Sequence, residues 1–203
     1  QSGTVLACRG EEQARFEFED VLRPGAAEAV RRLRQAGISV EMLSGDNEAA
    51  CRKVAESLAI ETYAAGLLPS EKVARIRHMA ERGHRAMMVG DGLNDAPALG
   101  AAHVSMAPAS AADIGRNAAD LVFLRDSLAA VPLAREVSLG AGRLIRQNIG
   151  LAIIYNFVAI PIAIFGHVTP LIAAIAMSGS SILVIGNAMR LLRAGKTRPD
   201  TAS

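Results

Sequence analysis

The feature that most limits what this chain can fold into lies in its last quarter. Between Asn148 and Leu192 the only charged side chain is Arg190, and the stretch divides into two apolar runs, Ile149–Phe165 and Val168–Leu192, separated by Gly166-His167. A run of about 18–20 apolar residues is long enough to cross a bilayer as a helix and is rare in a soluble core. Two such runs joined by a short break predict a transmembrane helical hairpin; a buried core hairpin is the weaker alternative. Arg143 and Arg146 precede the first run, and Arg193, Lys196 and Arg198 follow the second. Cations at both outer ends place those ends on the cytoplasmic side. The expected location is the cell (inner) membrane, multi-pass, with the soluble part cytoplasmic.

The rest of the chain has a different character. Residues 1–147 hold nearly all the acidic side chains. The net charge is +2, only 3% of residues are aromatic, and no basic stripe alternates with stacking side chains, so nothing points to nucleic acid. The two cysteines, Cys8 and Cys51, make no C-x-x-C pair, which argues against a disulfide framework or a zinc knuckle and for reduced thiols. The chain begins at Gln1 without an initiator Met or a signal-peptide pattern and reads as a piece of a longer protein.

Short apolar runs alternate with amphipathic segments up to residue 126. The predicted strands are Thr4–Ala7, Arg15–Phe18, Ser39–Leu43, Thr62–Ala64, Ala86–Val89, Val104–Met106 and Leu121–Phe123. One helix is expected to start with Pro24 at its first position, to present Ala26, Val30, Leu33 and Ala36 at helical spacing, and to stop at Gly37. Asn47–Leu58 and Ser70–Arg82 repeat the design, the latter ending at Gly83. This alternation predicts an α/β fold: a Rossmann-like parallel sheet with helices on both faces, incomplete, followed by the all-α hairpin. The expected layout is 1–126 soluble domain, 127–147 cytoplasmic stalk helix running into the first span, 148–193 membrane helices (about 149–165 and 168–192), and 194–203 a frayed tail.

Three elements carry chemistry. Gly90-Asp91-Gly92-Leu93-Asn94-Asp95-Ala96-Pro97-Ala98-Leu99 follows an apolar strand and opens a helix. The C-terminal ends of parallel strands are where such sheets place their chemistry. Asp91 and Asp95 offer hard oxygens suited to Mg²⁺, Gly90 and Gly92 permit a tight turn, and Asn94 offers an amide donor. Ser44-Gly45-Asp46, also at a strand end, sets a hydroxyl beside a helix N-terminus, an arrangement that suits an anion as well as a plain N-cap. Lys72, in Pro69-Ser70-Glu71-Lys72, could set a positive charge by a phosphate or be an ordinary surface lysine.

In the order Ser44, Lys72, Asp91, these elements resemble the haloacid-dehalogenase-like phosphotransferases and, within them, the P-type ATPases. The ten-residue loop looks like their hinge signature, and Ser44-Gly45-Asp46 is similar to their Thr-Gly-Asp loop with the hydroxyl retained. The resemblance implies that Ser44 binds the phosphoryl group with Gly45 and Asp46 shaping its loop. Lys72 neutralises the group, Asp91 ligates Mg²⁺ with Asp95 beside it, and Asn94 and Asp95 orient phosphate and water, with ATP as substrate. The family's nucleophile, the Asp of an Asp-Lys-Thr-Gly-Thr loop, has no counterpart in the chain, so the chain alone is expected not to hydrolyse ATP.

The spans hold polar residues that a simple anchor does not need. Tyr155-Asn156 and Pro161 lie in the first, and Met177-Ser178-Gly179-Ser180-Ser181 and Asn187 in the second. Pro161 is expected to kink its helix. Met177 and Ser181, four apart, share a helix face, and a thioether there suits a soft ion such as Cu⁺; small residues equally let helices pack closely. Tyr-Asn in one helix with Met and a Ser pair in the next resembles the copper/silver branch of heavy-metal P-type ATPases. The zinc/cadmium/lead branch is expected to carry Lys and Asp there. The resemblance implies that Tyr155, Asn156, Met177 and Ser181 line a path for Cu⁺ (or Ag⁺), with export from the cytosol and a copper chaperone as a partner. A zinc or cadmium pump and a membrane-anchored phosphatase of the same superfamily are the alternatives.

Overall fold

The computed structural model describes residues 2–8, 11–18, 21–91, 93–166 and 169–194. Two compact units divide after Pro132.

In the first unit, β1 (Ser2–Cys8) and β2 (Glu11–Phe18) pair antiparallel. Only two residues separate them, and a connection that short permits no parallel crossover. β3 (Glu41–Leu43) and β4 (Thr62–Ala64) pair in parallel. β5 (Met87–Val89), β6 (Val104–Pro108) and β7 (Leu121–Phe123) form a second parallel piece with β6 in the centre. The parallel sheet is thus present and incomplete, as expected. Among the described residues β3 has only β4 as neighbour and β5 only β6.

Helices connect the parallel strands: α1 (Ala26–Gln35) leads into β3 and α2 (Glu48–Ser57) joins β3 to β4. α3 (Pro69–Glu81) joins β4 to β5, α4 (Ala96–Ala101) joins β5 to β6, and α5 (Asp113–Ala118) joins β6 to β7. Pro24 does not open α1. Gly25 is the N-cap, at φ 74°, and an added Cβ there would lie 2.6 Å from Ser127 Oγ. The left-handed turn lets Pro24 accept a hydrogen bond from the Leu128 amide at 2.9 Å. Of the expected α1 face, Ala26 and Val30 are buried, Leu33 is half-buried, and Ala36 is the exposed C-cap. The core centres on Leu99 and Ala98 of α4 with Met106 and Ala107 of β6. Apolar side chains emptied from water there supply the main cohesion.

α1, α2 and α3 end the same way. The amides of Ile38, Ile60 and His84 reach back to the carbonyls of Leu33, Ala55 and Met79 at 2.8–3.0 Å, closing the last turn with a left-handed residue. That residue is Gly37 (φ 74°), Ala59 (φ 54°) and Gly83 (φ 81°).

In the second unit, α6 (Ala130–Ile164) continues unbroken through Pro161, so most of the segment predicted as a stalk and nearly all of that predicted as a first span lie in one helix, which begins in the last residues of the first unit. α7 (Pro170–Ala194) starts with Pro at its first position, and Thr169 Oγ1 accepts the Ile172 amide at 3.3 Å. Both helices are long and apolar enough to cross a membrane. His167, Val168 and most of the predicted tail, 195–203, lie outside the described residues.

Candidate functional site: the strand-end loops and the membrane hairpin

The first loop leaves β3 and turns into α2. Ser44 Oγ donates to Asp46 Oδ2 at 2.7 Å and accepts the Asp46 amide at 3.1 Å. Asn47, the N-cap of α2, accepts the Ala50 amide at 3.0 Å. The loop is laced to the β4–α3 connection: the Ser44 amide donates to Ala64 O (2.9 Å), the Leu67 amide to Ser44 O (2.9 Å) and the Gly66 amide to Asp46 O (2.7 Å). A short side chain bonding its own loop backbone holds such a turn without help from a ladder. The hydroxyl of Ser44 is thereby presented at the C-terminal end of β3.

α3 begins directly after that connection. Glu71 accepts the Leu68 amide at 2.8 Å, which fixes the first turn, and Lys72 follows on the inward side. Lys72 Nζ donates to Asp95 Oδ1 at 2.8 Å, with the two side chains only 10% and 16% exposed. Asp95 ends a 3₁₀ turn, Leu93–Asp95, after β5. Gly90 makes room for it: a Cβ at Gly90 would lie 2.9 Å from both Asp95 Cβ and Oδ2. The ion pair therefore ties the loop after β5 to the helix after β4. Asn94 beside it is exposed, and Gly92 lies outside the described residues.

Asp91 takes a different partner. Arg23 forms ion pairs with both Asp91 and Asp126, the latter at 2.6 Å. Sequence reasoning missed Arg23 and Asp126. They are 103 residues apart, and no spacing or motif links them. As a Mg²⁺ ligand Asp91 offers a hard, half-exposed carboxylate, which fits. Asp95 is committed to Lys72, and the described residues contain no group of three His, Cys, Asp or Glu able to hold a metal.

A second polar knot was also illegible. Ser105, 2% exposed on β6, donates through its amide (2.8 Å) and hydroxyl (3.0 Å) to Asp120 Oδ2 and accepts the Asp120 amide at 3.1 Å. It satisfies every polar group it buries and pins the approach to β7.

In the hairpin, Asn156 Nδ2 donates to Ala152 O at 2.9 Å, and Ser180 and Ser181 both donate to Met177 O, at 2.8 and 3.0 Å. These polar groups are satisfied within their own helices. Asn156, Met177 (68% exposed) and Ser181 are exposed, whereas Tyr155 is half-buried. Of the described apolar-run residues, it is Asn187 that reaches the other helix, donating to Asn148 Oδ1 at 2.9 Å and Gln147 Oε1 at 3.3 Å.

The family described as haloacid dehalogenase-like hydrolase matches residues 2–103. The chain belongs to that family. It is 53% identical over 193 residues to "Nitrogen fixation protein FixI" of Rhizobium meliloti (strain 1021), covering 95% of this chain and 26% of that protein. It is 39% identical over 195 residues to a "Copper-exporting P-type ATPase" of Mycobacterium leprae (strain TN), covering 96% of this chain and 25% of that one. Among solved structures, a zinc-transporting PIB-type ATPase in its E2.Pi state superposes with a TM-score of 0.79 at 31% identity, covering 93% of this chain and 31% of the other. The chain is accordingly a homologue of P-type ATPases of the heavy-metal kind, and it spans about a quarter of the length of the curated relatives it matches.

Within the haloacid dehalogenase-like domain, the structure brings Ser44 to Asp46 and Lys72 to Asp95, and connects these two pairs through the β4–α3 turn. It gives Asp91 to Arg23 instead.

Proposed function

We propose that this chain supplies the phosphoryl-handling loops and part of the ion path of an ATP-driven pump that exports Cu⁺ (or Ag⁺) across the cell membrane, with its soluble unit in the cytoplasm. The observation that carries the reading is the Lys72–Asp95 pair beside the Ser44 loop, after the C-terminal ends of β3 and β5, in a chain that also contains two helices of membrane-crossing length. β3 and β5 each have one strand partner and end in Ser44 and in Gly90-Asp91. A further parallel strand between them, carrying the phosphorylated Asp from the rest of the protein, completes the site.

In that arrangement Ser44 Oγ donates to a phosphoryl oxygen and gives up its bond to Asp46. The Lys72 ammonium, held in place by Asp95, offsets the charge that accumulates on the group in flight. Asn94 orients the group or the attacking water. Mg²⁺, when bound, adds positive charge at the phosphoryl oxygens, and Asp91 is the carboxylate this chain offers it. Tyr155, Asn156, Met177 and Ser181 supply donors for the cargo ion, with thioether sulfur favouring a soft monovalent metal. A copper chaperone fits as the cytosolic supplier.

Copper is favoured because the two runs contain Met177 and neither Lys nor Asp. Zinc is the second reading, favoured by the likeness to a zinc-transporting ATPase. The test is acyl-phosphate formation from ATP by the intact protein under reducing conditions, with Cu⁺ or Zn²⁺ added in turn. Cu⁺-dependent phosphoenzyme is the expected result. Zn²⁺ dependence overturns the ligand assignment, and no phosphoenzyme with either ion points to the anchored phosphatase.

A further inference from the structure

Asn187 uses its whole amide. Nδ2 donates to Asn148 Oδ1 and Gln147 Oε1 of α6, and Oδ1 accepts from Arg190 Nη1 at 3.2 Å. Such a group cannot be slid by one residue along its partner helix without giving up these bonds. α6 and α7 run antiparallel, because only Phe165–Thr169 joins them. Residues an equal number of steps from the Asn148–Asn187 contact therefore lie at equal depth. Seven steps along α6 reach Tyr155, and seven steps back along α7 reach Ser180, about 10 Å deeper by helix rise. Four steps more reach Ala159 and Ala176. All four of these positions are half-buried, among neighbours that are exposed. This half-burial is compatible with the register that the Asn187 hydrogen bonds set.

We infer that Asn148 and Asn187 are positioning residues for the ion path: their side-chain contact sets the register of α6 against α7, placing Tyr155 level with Ser180. Met177 and Ser181 then turn away from α6 toward whatever helix completes the path. The inference rests on the ion-path reading above and concerns residues that reading leaves without a role. The Ser180 hydroxyl is parked on Met177 O, and the same carbonyl also receives Ser181. A shift of register moves Tyr155 off this level and changes the spacing of the donors, leaving the phosphoryl loops untouched.

The test uses the intact protein in membranes. Cysteine pairs Ala159→Cys with Ala176→Cys, and Ala159→Cys with Val184→Cys, are treated with a fluorogenic bifunctional thiol reagent, each against its single-cysteine variants. The first pair is level in this register, and the second is about 12 Å out of step. The expected result is cross-linking of the first pair alone, lost when Asn187→Leu or Asn148→Leu is added. Leu lowers the cost of insertion, so these variants still reach the membrane. In parallel, Asn187→Leu is expected to raise the Cu⁺ concentration for half-maximal phosphoenzyme about three- to tenfold at an unchanged maximum, with the Asn148→Leu/Asn187→Leu double variant no worse than either single. Equal cross-linking of both pairs, or cross-linking indifferent to Asn187, overturns the register. Lost cross-linking with unchanged Cu⁺ dependence overturns the link to the ion path. Wild-type protein whose phosphorylation ignores every metal overturns the pump reading itself, and the cross-linking arm still reports the register.

Discussion

Lys72 Nζ lies 2.8 Å from Asp95 Oδ1, and this one contact joins the helix after β4 to the loop after β5. Both side chains are largely withdrawn from water, so neither charge is cheaply left alone. Lys72→Ala is expected to destabilise the protein by about 2 kcal/mol, read from thermal unfolding in detergent. It should also reduce phosphoenzyme formation at least about tenfold, as loss of a charge-stabilising group does. Adding Asp95→Asn should restore part of the stability and none of the phosphorylation. A double variant as unstable as the two singles together would show that the pair contributes nothing as a pair.

Gly90 makes that contact possible. A methyl group there meets Asp95 Cβ and Oδ2 at 2.9 Å, and the Cβ, one bond from the backbone, cannot swing aside. Gly90→Ala is expected to displace Asp95 and reproduce the phosphorylation defect of Lys72→Ala with normal membrane insertion. Normal phosphoenzyme levels in this variant would mean that the loop accommodates the methyl group freely.

Arg23 pairs with Asp91, the carboxylate proposed above for Mg²⁺. The pair is partly exposed, so its worth is about 1 kcal/mol or less. Arg23→Gln is expected to lower the Mg²⁺ concentration for half-maximal phosphorylation by up to about fivefold, measured at saturating ATP. Arg23→Lys, which keeps the charge, should lie between. Unchanged Mg²⁺ dependence in Arg23→Gln would leave Arg23 a structural partner of Asp126 alone.

Ala59 stands where Gly37 and Gly83 stand at the ends of the neighbouring helices, in a left-handed conformation at φ 54°. A side chain in that conformation costs about 1 kcal/mol. Ala59→Gly is expected to stabilise the protein by up to about 1 kcal/mol, and Gly83→Ala, with nothing within 4 Å of the added Cβ, to destabilise it by a similar amount from backbone strain alone. Chemical denaturation checks both, and equal midpoints for all three proteins would refute the assignment of strain.

What the sequence by itself determined is what depends on neighbours along the chain. β4 and β7 fall at the predicted residues because a run of three apolar or β-branched side chains between turns has little else to do, and α3 ends at Gly83 because only glycine takes that turn without strain. The two apolar runs dictated membrane-length helices through their length alone. The ten-residue loop at Gly90 was legible as a motif because its residues are consecutive, and its resemblance to a hinge signature is what suggests a phosphoryl site. The tertiary structure decided which charges meet. Arg23 reaching Asp91 and Asp126, Ser105 closing on Asp120, and Asn187 finding Asn148 join residues 15 to 103 positions apart. No periodicity records such pairings, since they arise only when helices and strands dock and a buried polar group must find a partner or lose the free energy of its water.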